Sequence, residues 1–239
     1  MATKLVYLEG FDVVDCEAKV LDVQVNEDGR RDVVLDQTCF YPRGGGQDGD
    51  TGTIGGFAVG EVRLDEAGVV HHLGKGTIAV GEQVKCRVDT ERRAINTRLH
   101  SAGHLLDMAM TKIRPDWTPG RGAHYPHMSF VEYDAPAETV IDEAFKTELQ
   151  DTINLLSKSD YHNQIKFVDK DGLAQYCRHI PDNIPTNKPS RIVLYADDFG
   201  IPCGGTHAKQ VKDIGNVDIT KIKVKKGIAK VSYAVKGVT

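Results

Sequence analysis

No apolar run in this sequence approaches the roughly 20 residues of a membrane helix, and no basic-then-apolar leader opens it. A membrane span and an export signal are therefore excluded on this reading, and a soluble, cytoplasmic protein is expected. The five cysteines (Cys16, Cys39, Cys86, Cys177 and Cys203) are odd in number and widely scattered, which excludes a disulfide framework and leaves a thiol for other chemistry. Excess charge is also missing: a formal net charge of -4 gives no global pull on nucleic acid, so any RNA contact must come from local basic patches. Nothing of the His-Glu-x-x-His kind appears, and no Lys-Ser or Lys-Thr follows Gly44 to Gly46, so a protease-like zinc site and a nucleoside triphosphate site are both set aside.

What is present divides in two. Up to about Asp89 the chain reads as short strands, Leu5 to Leu8, Cys16 to Val25, Arg31 to Leu35 and Gln83 to Asp89, with a turn signal at Asp28-Gly29. Glycines from Gly44 to Gly60 interrupt the middle, which predicts a small, irregular β-barrel over residues 1–89. From Glu91 to Ile113 the pattern changes: Ile95, Leu99, Ala102, Leu106 and Ala109 follow the three-and-four spacing of a helix, which Arg114-Pro115 ends. A second helix is predicted over about Glu138 to Ser157, and strands over Gln164 to Val168, Arg191 to Ala196, Val217 to Lys223 and Ala229 to Val235. The expected fold class is α+β: an N-terminal β-barrel, then an α+β domain over 90–239 whose long helices pack on an antiparallel sheet.

The second half also carries the chemistry. His100 and His104 stand four residues apart on the first helix, where one turn brings both imidazoles to the same face. Alone, such a pair is as often structural as functional. Cys203-Gly204-Gly205-Thr206-His207 adds a thiolate and an imidazole around two glycines that let the backbone turn tightly. Three histidines and one cysteine make a tetrahedral N/S set suited to Zn2+, whereas calcium and magnesium would demand carboxylates. The alternative, a core histidine and an ordinary buried thiol, leaves His100 and His207 unexplained.

These two pairs, together with Phe40-Tyr41-Pro42-Arg43-Gly44-Gly45-Gly46-Gln47, resemble the editing domain of alanyl-tRNA synthetase and the AlaX proteins related to it. The similarity covers nearly the whole chain and includes Val88 to Arg93 and Asp213-Ile214-Gly215. It implies an editing enzyme of the longer AlaX type, acting in trans, that hydrolyses the ester of seryl-tRNA, and sometimes glycyl-tRNA, carrying the alanine anticodon. It further implies that the Thr38 hydroxyl faces the pocket to recognise serine, and that Arg43 and Gln47 lie near the acceptor end. Two positions depart from the family pattern: Gly103 stands where many relatives carry threonine or a larger residue, and His127 stands near a glutamine. His124 and His127 are read as pocket-wall groups, proton shuttles or surface histidines, and Ser129 as a bond to substrate or to solvent.

From Lys209 to Thr239 eight lysines face two aspartates, and Lys221, Lys223 and Lys225 alternate, which on a strand puts them on one face. Such a row can follow a phosphate backbone, as can Arg92 and Arg93 near the start of the zinc helix. The plain alternative is a solvated edge strand. The leading expectation is a zinc-dependent aminoacyl-tRNA deacylase with mischarged alanine tRNA as its partner. Against it stand a zinc-stabilised RNA-binding module without catalysis and a general metal-dependent ester or amide hydrolase. The oligomeric state is not defined by the sequence.

Overall fold

Alternation of side chains shapes the first part of the chain. Strand β2 (Asp15–Val25) buries Ala18 and Val20 and exposes Glu17 and Lys19 between them, the period of a half-buried strand. The same holds in β8 (Gln83–Val88), where Val84, Cys86 and Val88 point inward. The computed structural model describes residues 2–136, 138–182, 184 and 188–238. It divides into two compact units, Met1–Ile95 and Asn96–Thr239.

In the first unit β1 (Lys4–Leu5) pairs in parallel with β4 (Gln37–Thr38). The closed barrel runs β2, β3 (Arg31–Leu35), β7 (Val70–Lys75), β6 (Phe57–Leu64), β5 (Gly52–Ile54) and β8, which returns to β2. Its interior is filled by Val33, Leu35, Phe40, Ile54, Phe57 and Val62, all fully buried. The strand expected over Leu5 to Leu8 is shorter than read: after Leu5 a 3-10 turn covers Val6–Leu8, because the Glu9 amide closes back on the Val6 carbonyl. The glycine-rich stretch is a tight turn in which Gly44 and Gln47 exchange backbone hydrogen bonds, with Gly45 and Gly46 at φ of 52 and 75°.

Helix α1 (Thr90–Ile113) begins where Asp89 accepts hydrogen bonds from the Glu91 and Arg92 amides, satisfying donors the helix itself cannot. In the second unit Leu99, Ala102, Leu105, Leu106, Ala109 and Met110 of α1 are buried. A hairpin, β9 (Thr118–Tyr125) and β10 (Met128–Asp134), joins β14 (Val217–Lys225) and β15 (Ile228–Val235) in an antiparallel sheet ordered β14-β15-β10-β9. A smaller antiparallel sheet holds β11 (Gln164–Val168), β12 (Ser190–Ala196) and β13 (Phe199–Pro202). Helix α2 (Glu143–Leu156) starts five residues later than the sequence suggests, because Asp142 caps it by accepting from the Phe145 amide at 2.8 Å. Its Gln150 is bonded to the Val217 carbonyl and the Ile219 amide of β14. Among the described residues no helix is long and apolar enough to cross a membrane.

Candidate metal centre

Residues 100 and 104 share one face of α1, and the loop after β13 brings Cys203 and His207 to them. One ligand atom from each of the four lies within 4.8 Å of the others. His100 Nε2 is 3.0 Å from His104 Nε2 and 3.2 Å from Cys203 Sγ. The His104 and His207 rings stack with centroids 5.2 Å apart.

The loop is held from several sides, so the donors are preorganised. Arg191 on β12 donates to the carbonyls of Cys203 at 2.6 Å and Gly205 at 3.2 Å. Ser101 on α1 accepts from the Ala208 amide at 2.9 Å, and the Thr97 and Thr206 hydroxyls meet at 2.7 Å. Glycine at 205 is a matter of space: a Cβ there would sit 2.5 Å from His100 Cε1.

Burial dominates the protonation of this cluster. It holds His100 and His207 well below the usual histidine range, reinforced by the charge of neighbouring imidazoles. His104 is also desolvated, but the Asp107 carboxylate and Cys203 push it up to about 9. Burial raises the Cys203 thiol, and His104, the Gly205 amide and Arg191 more than offset that, leaving its pKa lowered.

The donors fit a metal ion. His100 Nδ1, His104 Nδ1 and both ring nitrogens of His207 are buried with no hydrogen-bond partner among the described residues. Buried polar atoms left in this state are rare in folded proteins and mark a ligand or strain. Metal–nitrogen and metal–sulfur bonds of about 2.0 to 2.3 Å need donors this close together.

Gly103, between the two histidines, faces His124, and a Cβ at 103 would lie 2.4 Å from His124 Cε1. The imidazole therefore takes the volume that a side chain at 103 would need. Tyr233 fixes its tautomer: the Tyr233 hydroxyl donates to the Leu99 carbonyl, so it accepts the proton of His124 Nδ1 at 2.6 Å. Burial holds His124 down at about 4, and its ring lies 4.8 Å from that of His100.

The other sequence candidates make contacts of their own. His127 is exposed at the β9–β10 turn, stacked on Tyr125, and Ser129 donates to the Tyr125 carbonyl at 2.8 Å, closing that hairpin. Thr38 is fully buried in the first unit and bonded to His72 Nε2 at 2.8 Å. Gln47 is fully buried in the glycine-rich turn. Arg43 is exposed, Arg92 half-exposed, and both lie 3.8 Å from Asp48. Arg93 is not a surface group: it is buried, paired with Asp50 and donating to the Cys39 and Val13 carbonyls. Lys221, Lys223 and Lys225 are exposed and share a face of β14, opposite Ser232, Lys230 and Ile228. Sequence reasoning missed Asp107, Tyr133, Arg191 and Tyr233; only Asp107, three residues after His104 on the same helix, left a readable signal.

Residues 9–92 match the family model for tRNA synthetases class II (A). The alanine–tRNA ligase of Nitrosopumilus maritimus is 31% identical over 225 residues, covering 93% of this chain and 25% of that protein. The ligase of Halobacterium salinarum is 31% identical over 242 residues, with 97% and 26% covered. The alanyl-tRNA editing protein AlaX-L of Pyrococcus horikoshii is 32% identical over 216 residues, 87% of this chain and 51% of that one. The chain thus spans about a quarter of these ligases and about half of the AlaX-L protein. Barrel, donor cluster and similarity together define a relative of the class II alanine ligases with a His/Cys cluster that could hold a metal ion. Within that class, the chain belongs to the AlaX-type alanyl-tRNA editing family.

Proposed function

We propose that this protein hydrolyses the ester of mischarged alanine tRNA, with seryl-tRNA as the main substrate and glycyl-tRNA as a second. The observation that carries this reading is the N₃S cluster of buried His100, His104 and His207 with half-buried Cys203, in a chain similar to an alanyl-tRNA editing protein. Water adds to the ester carbonyl carbon, the bond to the ribose oxygen breaks, and free amino acid and intact tRNA are released.

The donor set favours zinc, because three imidazoles and a thiolate suit its borderline softness and tetrahedral geometry. When bound, zinc supplies a Lewis acid for the carbonyl and a lowered pKa for an attacking water. The protein's own contribution is placement. Arg191, Ser101 and Thr97 fix the Cys203–His207 loop, while Gly103 gives His124 its place beside His100. Exposed Lys221, Lys223 and Lys225, with Arg43 and Arg92, are the groups we assign to the phosphate backbone. Arg93 and Gln47 drop out of that set because they are buried.

A second reading rests on the completeness of the cluster: four protein donors close a zinc shell, as in structural sites, and would serve an RNA-binding module without catalysis. Incubation of the purified protein with seryl-, glycyl- and alanyl-tRNA bearing the alanine anticodon separates the two. Loss of the seryl ester well above the buffer rate is expected, together with loss of bound zinc and of activity in Cys203→Ala. Zinc binding with no ester loss would establish the module instead. Neutralising the three lysines together should flatten the slope of log K against log salt by about 2 to 3, and an unchanged slope would reject that face.

A further inference from the structure

The three imidazoles of the cluster are not held alike. His104 Nδ1 faces the Asp107 carboxylate, with Oδ2 at 3.5 Å, and the other carboxylate oxygen accepts from the Tyr133 hydroxyl at 2.7 Å. Tyr133, on β10, is buried, so its hydroxyl is a fixed anchor. No carboxylate or other hydrogen-bond partner among the described residues reaches His100 Nδ1 or either ring nitrogen of His207.

We propose that Asp107 is a positioning residue for metal binding: it takes the Nδ1 proton of His104 and presents the Nε2 lone pair to the ion, while Tyr133 fixes the carboxylate. The helix makes this local, since residues 104 and 107 lie three apart on one face of α1. Chemistry sets the direction. The Tyr133 hydroxyl donates to one Asp107 oxygen, so the other is left to accept the Nδ1 proton, and a neutral ring protonated there has its lone pair on Nε2. That nitrogen is the one facing His100 Nε2 at 3.0 Å, inside the cluster. Carboxylate partners of this kind raise the basicity of a ligating imidazole and lock its orientation. At 3.5 Å the pair is an ionic contact rather than a closed hydrogen bond, so closure on metal binding is part of the proposal.

The proposal rests on the reading that these four residues hold a metal ion, and not on ester hydrolysis. Zinc affinity is measured by competition with a chromophoric chelator for the wild type, Asp107→Ala, Asp107→Asn and Tyr133→Phe. Asp107→Ala should bind zinc about 10- to 100-fold more weakly. Asp107→Asn, which keeps an acceptor oxygen, and Tyr133→Phe should lose less, and both serve as the test should the alanine variant fail to fold. In zinc-loaded wild type, one imidazole should show a slowly exchanging Nδ1–H resonance in ¹H–¹⁵N spectra, absent from Asp107→Ala. Affinities within twofold of wild type in all variants, or an unchanged resonance, would overturn the proposal. A wild type that binds no zinc would overturn it and the metal reading together. Asp107-dependent zinc binding without ester hydrolysis would uphold it while removing the deacylase function.

Discussion

The buried polar network of the barrel and the donor cluster of the second unit are treated in opposite ways. Around Arg93 and His72 the barrel's groups are satisfied, with Asp32 Oδ1 the exception in that unit among the described residues. Arg93 meets both Asp50 oxygens and two carbonyls, while Asp50 also accepts from the Tyr41 amide at 2.6 Å. His72, held at about 4 by burial, donates from Nδ1 to the Val33 carbonyl and accepts at Nε2 from Thr38, whose oxygen accepts in turn from the Phe40 amide. In the second unit, four ring nitrogens of His100, His104 and His207 go without a hydrogen-bond partner among the described residues. A closed network rigidifies a fold, whereas an open one at equal depth is a cost that something outside the chain must offset. Depth alone therefore does not separate structural histidines from ligating ones; the pairing of both ring nitrogens does.

The largest effect expected from this contrast is in the barrel. Asp50→Ala leaves the Arg93 guanidinium buried beside two carbonyls without its counter-charge, and breaking one side of such a pair costs about 3 to 5 kcal/mol. Urea denaturation of the variant should show a loss of that size, with zinc content near that of wild type wherever the protein stays folded. A loss under about 1 kcal/mol would mean that the Arg93 network contributes to geometry rather than stability.

A smaller effect, of opposite sign, is expected at the open network. His207→Leu removes two unpartnered buried nitrogens and keeps an apolar group of similar size, a change that lifts a desolvation cost of about 1 to 3 kcal/mol. After chelator treatment this variant should melt at or above the wild-type temperature, although it no longer holds zinc. A clear drop in Tm of the chelated variant would show that His207 is a packing residue, and the contrast between the units would fail.

How much of this was legible in the sequence depended on whether a local pattern carried the information. His100 and His104 are read from helix spacing, and Cys203 and His207 from donors around two glycines, so the cluster stands out without a structure. Arg92 and Arg93 show the limit. They are adjacent, chemically identical and at the first turn of α1, yet one reaches solvent and the other is buried on Asp50, a phase set by a partner more than forty residues away. The Thr38–His72 bond is hidden for the same reason, since His72 lies on another strand. Asp107 is hinted at by its place three residues after His104, but its anchor Tyr133 comes from a strand that no local pattern links to it. The β9–β10 hairpin was hidden by Gly120, Gly122 and Pro126, which suggest a loop unless the pairing of Phe130 with Ala123 and Ser232 is known.

The smallest expected effect sharpens the contrast within the barrel, between neighbouring histidines. Burial drives His72 down, while His71, though burial also opposes its charge, is raised because Asp32 at 2.9 Å and Asp65 at 3.4 Å bond to and attract the imidazolium. A raised folded-state pKa means that the charged form is favoured by folding. The His71 contribution is thus fully present below the ordinary value of 6.5 and is lost as pH rises through the folded value. Because the ring is partly exposed, solvent screening keeps the contribution below about 1 kcal/mol. The measurement is the difference in Tm between wild type and His71→Gln across pH 5 to 8, with the metal site chelated in both. The wild-type advantage should be largest at the acid end and shrink toward pH 8, while His72, whose lowered pKa destabilises both proteins alike at the acid end, cancels from the difference. A wild-type advantage that grows with pH would mean that Asp32 and Asp65 do not hold the charge on His71.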